Sequence, residues 1–183
     1  MARIILITGG ARSGKSDYGL SRAESLPGPR TFLATSPVTD GEMEERIKRH
    51  QRERQGGQWR TVEEEVELVT VVESLEPGTV CLVDCLTLWV NNLMYHAENR
   101  GVDFSEDDML REVKRLLGAV AAFSGTLICV TNEVGMGVVP DNAAARRYRD
   151  LVGRCNRKIA AAADEVILVS CGLPLFLKNI ESK

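Results

Sequence analysis

Eight consecutive residues, Gly9, Gly10, Ala11, Arg12, Ser13, Gly14, Lys15 and Ser16, read G-x-x-x-x-G-K-S, the pattern of a phosphate-binding loop. The glycines let the backbone curl so that successive N–H groups point inward at a polyphosphate. The helix that follows adds its positive N-terminal end to the same anion. Lys15 can reach the β- and γ-phosphates, and the Ser16 hydroxyl can hold Mg²⁺. A glycine-rich turn could match by coincidence, but the apolar run Ile4-Ile5-Leu6-Ile7 in front supplies the strand this motif requires.

Asp84 closes a second apolar run, Val80-Cys81-Leu82-Val83. A carboxylate directly after a buried strand is suited to orient Mg²⁺ together with the loop serine; its bland alternative is a strand-end Asp capping the next helix. His50, one of two histidines, sits among Arg46, Lys48, Arg49, Arg52 and Arg54. On a helix, Met43, Ile47 and His50 share a face. A neutral imidazole there is a nucleophile for phosphorus, and the guanidinium groups would neutralise the charge that develops. Read from this segment alone, a solvated charged helix with an incidental histidine is the more economical account. His96 has no nameable partner, and packing or surface placement explains it. Residues 132–140 carry Glu133, two glycines and an apolar stretch, which suit a substrate loop as well as an ordinary strand-to-helix connection.

The elements that must position these residues alternate. Strands are expected over 3–8, 30–34, 59–62, 80–84, 127–131, 165–170 and 173–177, and helices over 15–25, 42–55, 63–75, 86–98, 105–123 and from Asp141 or Asn142 onward. The last helix places Ala144, Tyr148, Leu151, Val152, Cys155 and Ile159 at helical spacing, and most of its arginines are expected as exposed partners for acids. Near-continuous apolar strands between helices imply an α/β domain with a mainly parallel sheet flanked by helices. Ligands of such sheets sit beyond the carboxyl ends of the strands, which is where the loops and carboxylates above fall.

The 183 residues fit one domain, 1–183, without a linker or repeat. A net charge of −3 provides no basic field for nucleic acid, and aromatic residues at 5% provide few stacking platforms. Five cysteines fit no zinc spacing and suit a reducing cytoplasm. No signal peptide and no membrane-spanning run is expected.

Several segments in order carry a resemblance: GGARSGKS at 9–16, Ala34-Thr35-Ser36, Arg46-Ile47 through His50, Trp59-Arg60-Thr61, TNEVGMGVVP at 131–140 and AAAADE at 160–165. Together they resemble the bifunctional adenosylcobinamide kinase / adenosylcobinamide-phosphate guanylyltransferase family of cobalamin biosynthesis, over essentially the whole chain. The 131–140 segment is far more specific than the phosphate loop. The resemblance implies a RecA-like sheet, a homotrimer, Mg²⁺, and ATP and GTP as substrates. It implies phosphorylation of adenosylcobinamide, then transfer of GMP from GTP through a covalent GMP–histidine to adenosylcobinamide phosphate. The family's nucleophile falls on His50, which reverses the reading of that segment alone. The family's nucleotide contacts fall on Ala34, Thr35, Ser36, Gln51, Arg52, Glu53, Arg54 and Glu63. Asp84 matches a position that is Glu in some relatives, so the carboxylate is kept with a shorter reach. No base for the substrate hydroxyl is identifiable; Glu133 is the candidate. The rival readings are a monofunctional P-loop small-molecule kinase, in which His50 does nothing covalent, and a non-catalytic nucleotide-binding regulator.

Overall fold

The computed structural model describes residues 2–36 and 59–179. In chain order the elements are β1 (Arg3–Gly9), α1 (Lys15–Glu24), β2 (Arg30–Ala34), β3 (Trp59–Glu63), α2 (Leu68–Glu73) and β4 (Val80–Asp84). They continue with α3 (Leu86–Asn99), α4 (Glu106–Ala122), β5 (Thr126–Val130), a 3₁₀ turn (Val134–Met136), α5 (Ala143–Ala162), β6 (Glu165–Ser170) and β7 (Leu173–Asn179). The strands form one seven-stranded sheet in the order β3-β2-β4-β5-β1-β6-β7. Every pairing is parallel except the closing β6–β7 hairpin.

The sheet is apolar on both faces, which is why its strands read as continuous apolar runs. Alternate residues serve different layers. Ile4, Leu6, Cys81, Val83, Leu127 and Cys129 join the core beneath α2, α3, α4 and α5. Ile5, Ile7, Leu82, Ile128 and Val130 join a second core with Ala23 of α1. Helix α4 starts where its sequence says it should: Ser105 accepts from the Asp108 amide, and the Asp108 carboxylate accepts in turn from the Ser105 amide. At the other end of the sheet, buried Glu165 is held by Arg3 and Arg22.

One expected helix is shorter than its composition suggests. The run 63–75 yields helix only over Leu68–Glu73. Glu63 instead completes the β3 ladder opposite Ala34, and the Glu64 carboxylate accepts from the amides of Val66 and Glu67 in a tight turn, so the chain enters α2 late. Ala144, expected on the apolar face of α5, is exposed; the buried stripe is Leu151, Val152, Cys155, Asn156 and Ile159. The expected helix over 42–55, with His50, lies outside the described residues.

Candidate active site

Strand register gathers the candidate residues along one edge of the sheet. Glu63 aligns with Ala34, Ala34 with Asp84, and Asp84 with Val130. Val130 aligns with Ile7, two residues before Gly9. The loop over residues 9–16, Ala34-Thr35-Ser36, Glu63, Asp84 and the loop over residues 132–140 therefore all leave the carboxyl end of the sheet, the side on which α/β folds bind ligands.

The first loop is tightly determined. Gly9 is buried, and a Cβ there would stand 2.4 Å from the Val169 carbonyl. The Ser13 amide donates to the Gly10 carbonyl (3.3 Å), and Lys15 reaches back to the same oxygen (3.1 Å). Gly14 has φ +87°, the left-handed conformation that precedes α1. Its missing side chain faces Gly172 Cα at 3.2 Å, and the Gly172 amide donates to the Ser13 carbonyl (2.8 Å). The β6–β7 turn thus braces the loop from behind. Ala11 and Arg12 are exposed, Ser16 is half-buried, and Lys15 is buried. The Ser13 hydroxyl oxygen is buried without a partner among the described residues.

Thr35 ties the end of β2 to the end of β4. It is fully buried; its hydroxyl donates to the Cys85 carbonyl (2.7 Å) and accepts from the Cys85 amide (2.8 Å). Asn92 of α3 donates to the Thr35 carbonyl (2.8 Å). Ala34 and Ser36 on either side are half-buried, and Glu63 is exposed. Burial and the adjacent Asp84 charge push the Cys85 thiol up, while hydrogen bonds from Thr87 and the Leu88 backbone, and then the Lys15 ammonium, pull it the other way. Tyr148 of α5 donates to the Thr87 carbonyl (3.2 Å), and burial pushes its phenol up to about 12.

Neither the Ser16 hydroxyl nor the Asp84 carboxylate makes a hydrogen bond or ion pair among the described residues. No cluster of three or more His, Cys, Asp or Glu capable of holding a metal occurs among them. One hydroxyl and one carboxylate, both uncommitted, fit a Mg²⁺ that takes its remaining ligands from phosphate oxygens and water.

Three residues that hold the site together were not singled out from sequence. Thr8 donates to Glu133 Oε1 (2.5 Å), and the Glu133 amide donates to the Gly9 carbonyl (3.2 Å), so the two loops share a root. Asn156 of α5 accepts from the fully buried Thr131 hydroxyl (2.7 Å) and donates to the Asn132 carbonyl (3.1 Å). Gly172 is the brace described above. A signal for Asn156 existed: it is a polar residue beside Cys155 in an otherwise apolar stripe. Gln51, Arg52, Glu53 and Arg54 lie, like His50, outside the described residues. His96 is exposed, and its ring stands T-shaped to that of Tyr95, in keeping with a surface role.

Comparison with known proteins bears on the fold and on the family. A solved ATPase from the type III secretion system of pathogenic bacteria superposes with a TM-score of 0.60 over 95% of this chain and 56% of its own, at 14% identity, a likeness of fold alone. The bifunctional adenosylcobalamin biosynthesis protein CobU of Salmonella typhimurium is 41% identical over 185 residues, covering 96% of this chain and 99% of that protein. CobU of Escherichia coli is 38% identical at the same coverage. The bifunctional adenosylcobalamin biosynthesis protein CobP of Pseudomonas aeruginosa is 39% identical over 95% of this chain and 96% of its own. A family model described as cobinamide kinase / cobinamide phosphate guanyltransferase matches residues 5–177, and the chain belongs to that family.

Proposed function

We propose that the chain runs two reactions from one nucleotide site at the carboxyl end of its sheet. The chain is a bifunctional adenosylcobinamide kinase and adenosylcobinamide-phosphate guanylyltransferase of cobalamin biosynthesis. The observation that carries the single-site reading is the register that brings residues 9–16, Ala34, Glu63 and Asp84 to one edge, with Glu133 fastened to Thr8 and Gly9.

In this reading the domain is a RecA-like P-loop fold spanning residues 1–183, and it works in the cytoplasm. The N–H groups of Gly10, Ala11, Arg12, Ser13, Gly14, Lys15 and Ser16 surround the triphosphate, and the buried Lys15 ammonium sits against the leaving phosphates. Mg²⁺ held by Ser16, Asp84 and phosphate oxygens would neutralise the charge that develops on the leaving group. The buried Thr35 hydroxyl fixes the end of β2, so that Ala34 and Ser36 line the nucleotide beside Glu63, with Gln51, Arg52, Glu53 and Arg54.

In the kinase reaction the substrate hydroxyl oxygen bonds to the γ-phosphorus of ATP or GTP. The bond to the β-phosphate oxygen breaks, the nucleoside diphosphate leaves, and the hydroxyl proton passes to a base. Glu133, half-buried and oriented through Oε1 by Thr8, is the candidate. In the second reaction an imidazole nitrogen of His50 bonds to the α-phosphorus of GTP and pyrophosphate leaves. A phosphate oxygen of adenosylcobinamide phosphate then displaces the histidine, and the P–N bond breaks to give adenosylcobinamide-GDP. We further read the molecule as a homotrimer. The strand β7 at the sheet edge exposes Leu173, Leu175, Phe176 and Leu177, the kind of apolar edge that subunit contacts cover.

Incubation with GTP labelled at the α-phosphate tests the covalent step. Acid-labile label that survives denaturation and is lost in His50→Ala is expected. Label that persists in folded His50→Ala assigns the nucleophile elsewhere, and no label on the folded wild-type protein removes the intermediate.

A further inference from the structure

We propose that the cleft between residues 134–139 and α5 seats the corrin body of the substrate, a proposal that rests on the functional reading above. The cleft has a volume of about 530 Å³ and is lined by Gly135, Gly137 and Val139 on one side and by Arg149, Arg154 and Arg157 on the other. That is the size of a small-molecule site. It adjoins the nucleotide cradle: Glu133, immediately before the 3₁₀ turn, bonds to Thr8 and to the Gly9 carbonyl. A bulky group held here lies one short loop from the phosphates, and a flexible arm can cross that gap.

The lining identifies the chemistry. Arg149 faces Asp150 (3.5 Å) and Arg154 pairs with Glu106 (2.9 Å), but Arg157 has no partner among the described residues. One guanidinium fork is left to donate to carbonyl oxygens. Val139 lines the other wall, and on its short loop Met136, Val138 and Val139 are 77%, 93% and 59% exposed, a concentration of apolar surface at the mouth of the cleft. A free phosphate would use the arginines and waste the apolar residues. A nucleotide base would call for an aromatic platform, and the cleft has none. A corrin ring matches both features, because its rim alternates methyl groups with carboxamide arms whose carbonyls accept hydrogen bonds.

Gly135 points the same way. Its φ lies outside the left-handed region, and no described residue stands within 4 Å of where a Cβ would be. No described residue requires glycine there, and in this proposal the open backbone leaves room for a large ligand to lie against it.

The test is steady-state kinetics with adenosylcobinamide and GTP, together with equilibrium binding of adenosylcobinamide, for wild type, Arg157→Gln, Arg157→Lys and Val138→Asp. Loss of one charge-assisted hydrogen bond should raise the KM for adenosylcobinamide about ten-fold in Arg157→Gln. Val138→Asp should raise it by a similar factor and Arg157→Lys by less, with the KM for GTP within two-fold. An unchanged corrinoid KM in both Arg157→Gln and Val138→Asp overturns the proposal. So does a parallel rise in the KM for GTP, or a change in subunit number at unchanged corrinoid affinity, which would give the cleft to a second copy of the chain. If the folded wild-type protein phosphorylates no adenosylcobinamide, the functional reading itself falls, an outcome separable from an active wild type with indifferent variants.

Discussion

Residues 9–16 and residues 132–140 leave neighbouring strands, β1 and β5, at the same end of the sheet, yet their glycines meet opposite surroundings. At Gly9 a methyl group would strike the Val169 carbonyl, and at Gly14 it would press on Gly172 from a left-handed backbone. Among the described residues it would meet nothing within 4 Å at Gly135, and at Gly137 the Val134 carbonyl at 3.8 Å. In the first loop the protein's own packing demands glycine at positions 9 and 14, though not at Gly10, where no described residue stands within 4 Å. In the second the space is spare as far as the described residues are concerned, and the neighbouring side chains Met136 and Val138 stand in solvent. A loop whose shape is set at two points by its neighbours suits a ligand part common to many substrates, the polyphosphate. A loop that leaves room and apolar surface suits the part particular to one substrate.

The comparison breaks most visibly at Gly9. Gly9→Ala sets a Cβ against a central strand that cannot yield as a flexible side chain would, and should cost about 3 kcal/mol. Urea unfolding measures it, and a loss under 1 kcal/mol would mean that the loop is softer than its contacts imply. Asn156→Ala comes next. It leaves the fully buried Thr131 hydroxyl without its acceptor and loosens the root of the second loop, at a cost of about 2 kcal/mol. Because the same side chain holds the Asn132 carbonyl, the KM for adenosylcobinamide should rise more than that for GTP. Gly14→Ala is smaller, about 1–2 kcal/mol for a left-handed residue with a Cβ. Its effect should fall on GTP binding, read by titration calorimetry, since the strain sits beneath the phosphates.

The reach of the sequence follows the same division. Strands 30–34, 80–84 and 165–170 were legible to the residue, because each is an apolar run bounded by turn or charged residues, and local pattern suffices. The loop at 9–16 was legible because its residue types encode its own curl. What escaped was whatever depends on a distant partner. That Gly14 needs no side chain because Gly172 lies behind it is a fact about the β6–β7 turn, which no local window contains. Asn156 gains its meaning only when α5 is laid beside the end of β5. The late start of α2 is a local effect that was still hidden, since Glu64 favours helix by composition and departs from it only by capping two amides of its own turn. Thr35 matched a nucleotide contact by resemblance, but that its hydroxyl also ties β2 to β4 through Cys85 is a long-range fact that no local motif contains.

The smallest effect sharpens the comparison furthest. Gly135→Ala should leave stability within about 0.5 kcal/mol of wild type, and the lower backbone entropy of the unfolded alanine chain could even raise it slightly. Taken alone that would be an unremarked surface substitution. Set beside Gly9→Ala it separates two reasons for glycine at the same sheet edge: one substitution should unfold the protein sooner without regard to ligand, the other should pass unnoticed until adenosylcobinamide is present. Thermal unfolding with and without adenosylcobinamide reads the difference directly, because a ligand that binds only the native state raises Tm by an amount that grows with the logarithm of its affinity. For Gly135→Ala the expected pattern is an unchanged Tm without ligand and a reduced upward shift with it. A full upward shift would return residues 134–139 to the status of a connecting loop and leave the corrin body to be seated elsewhere.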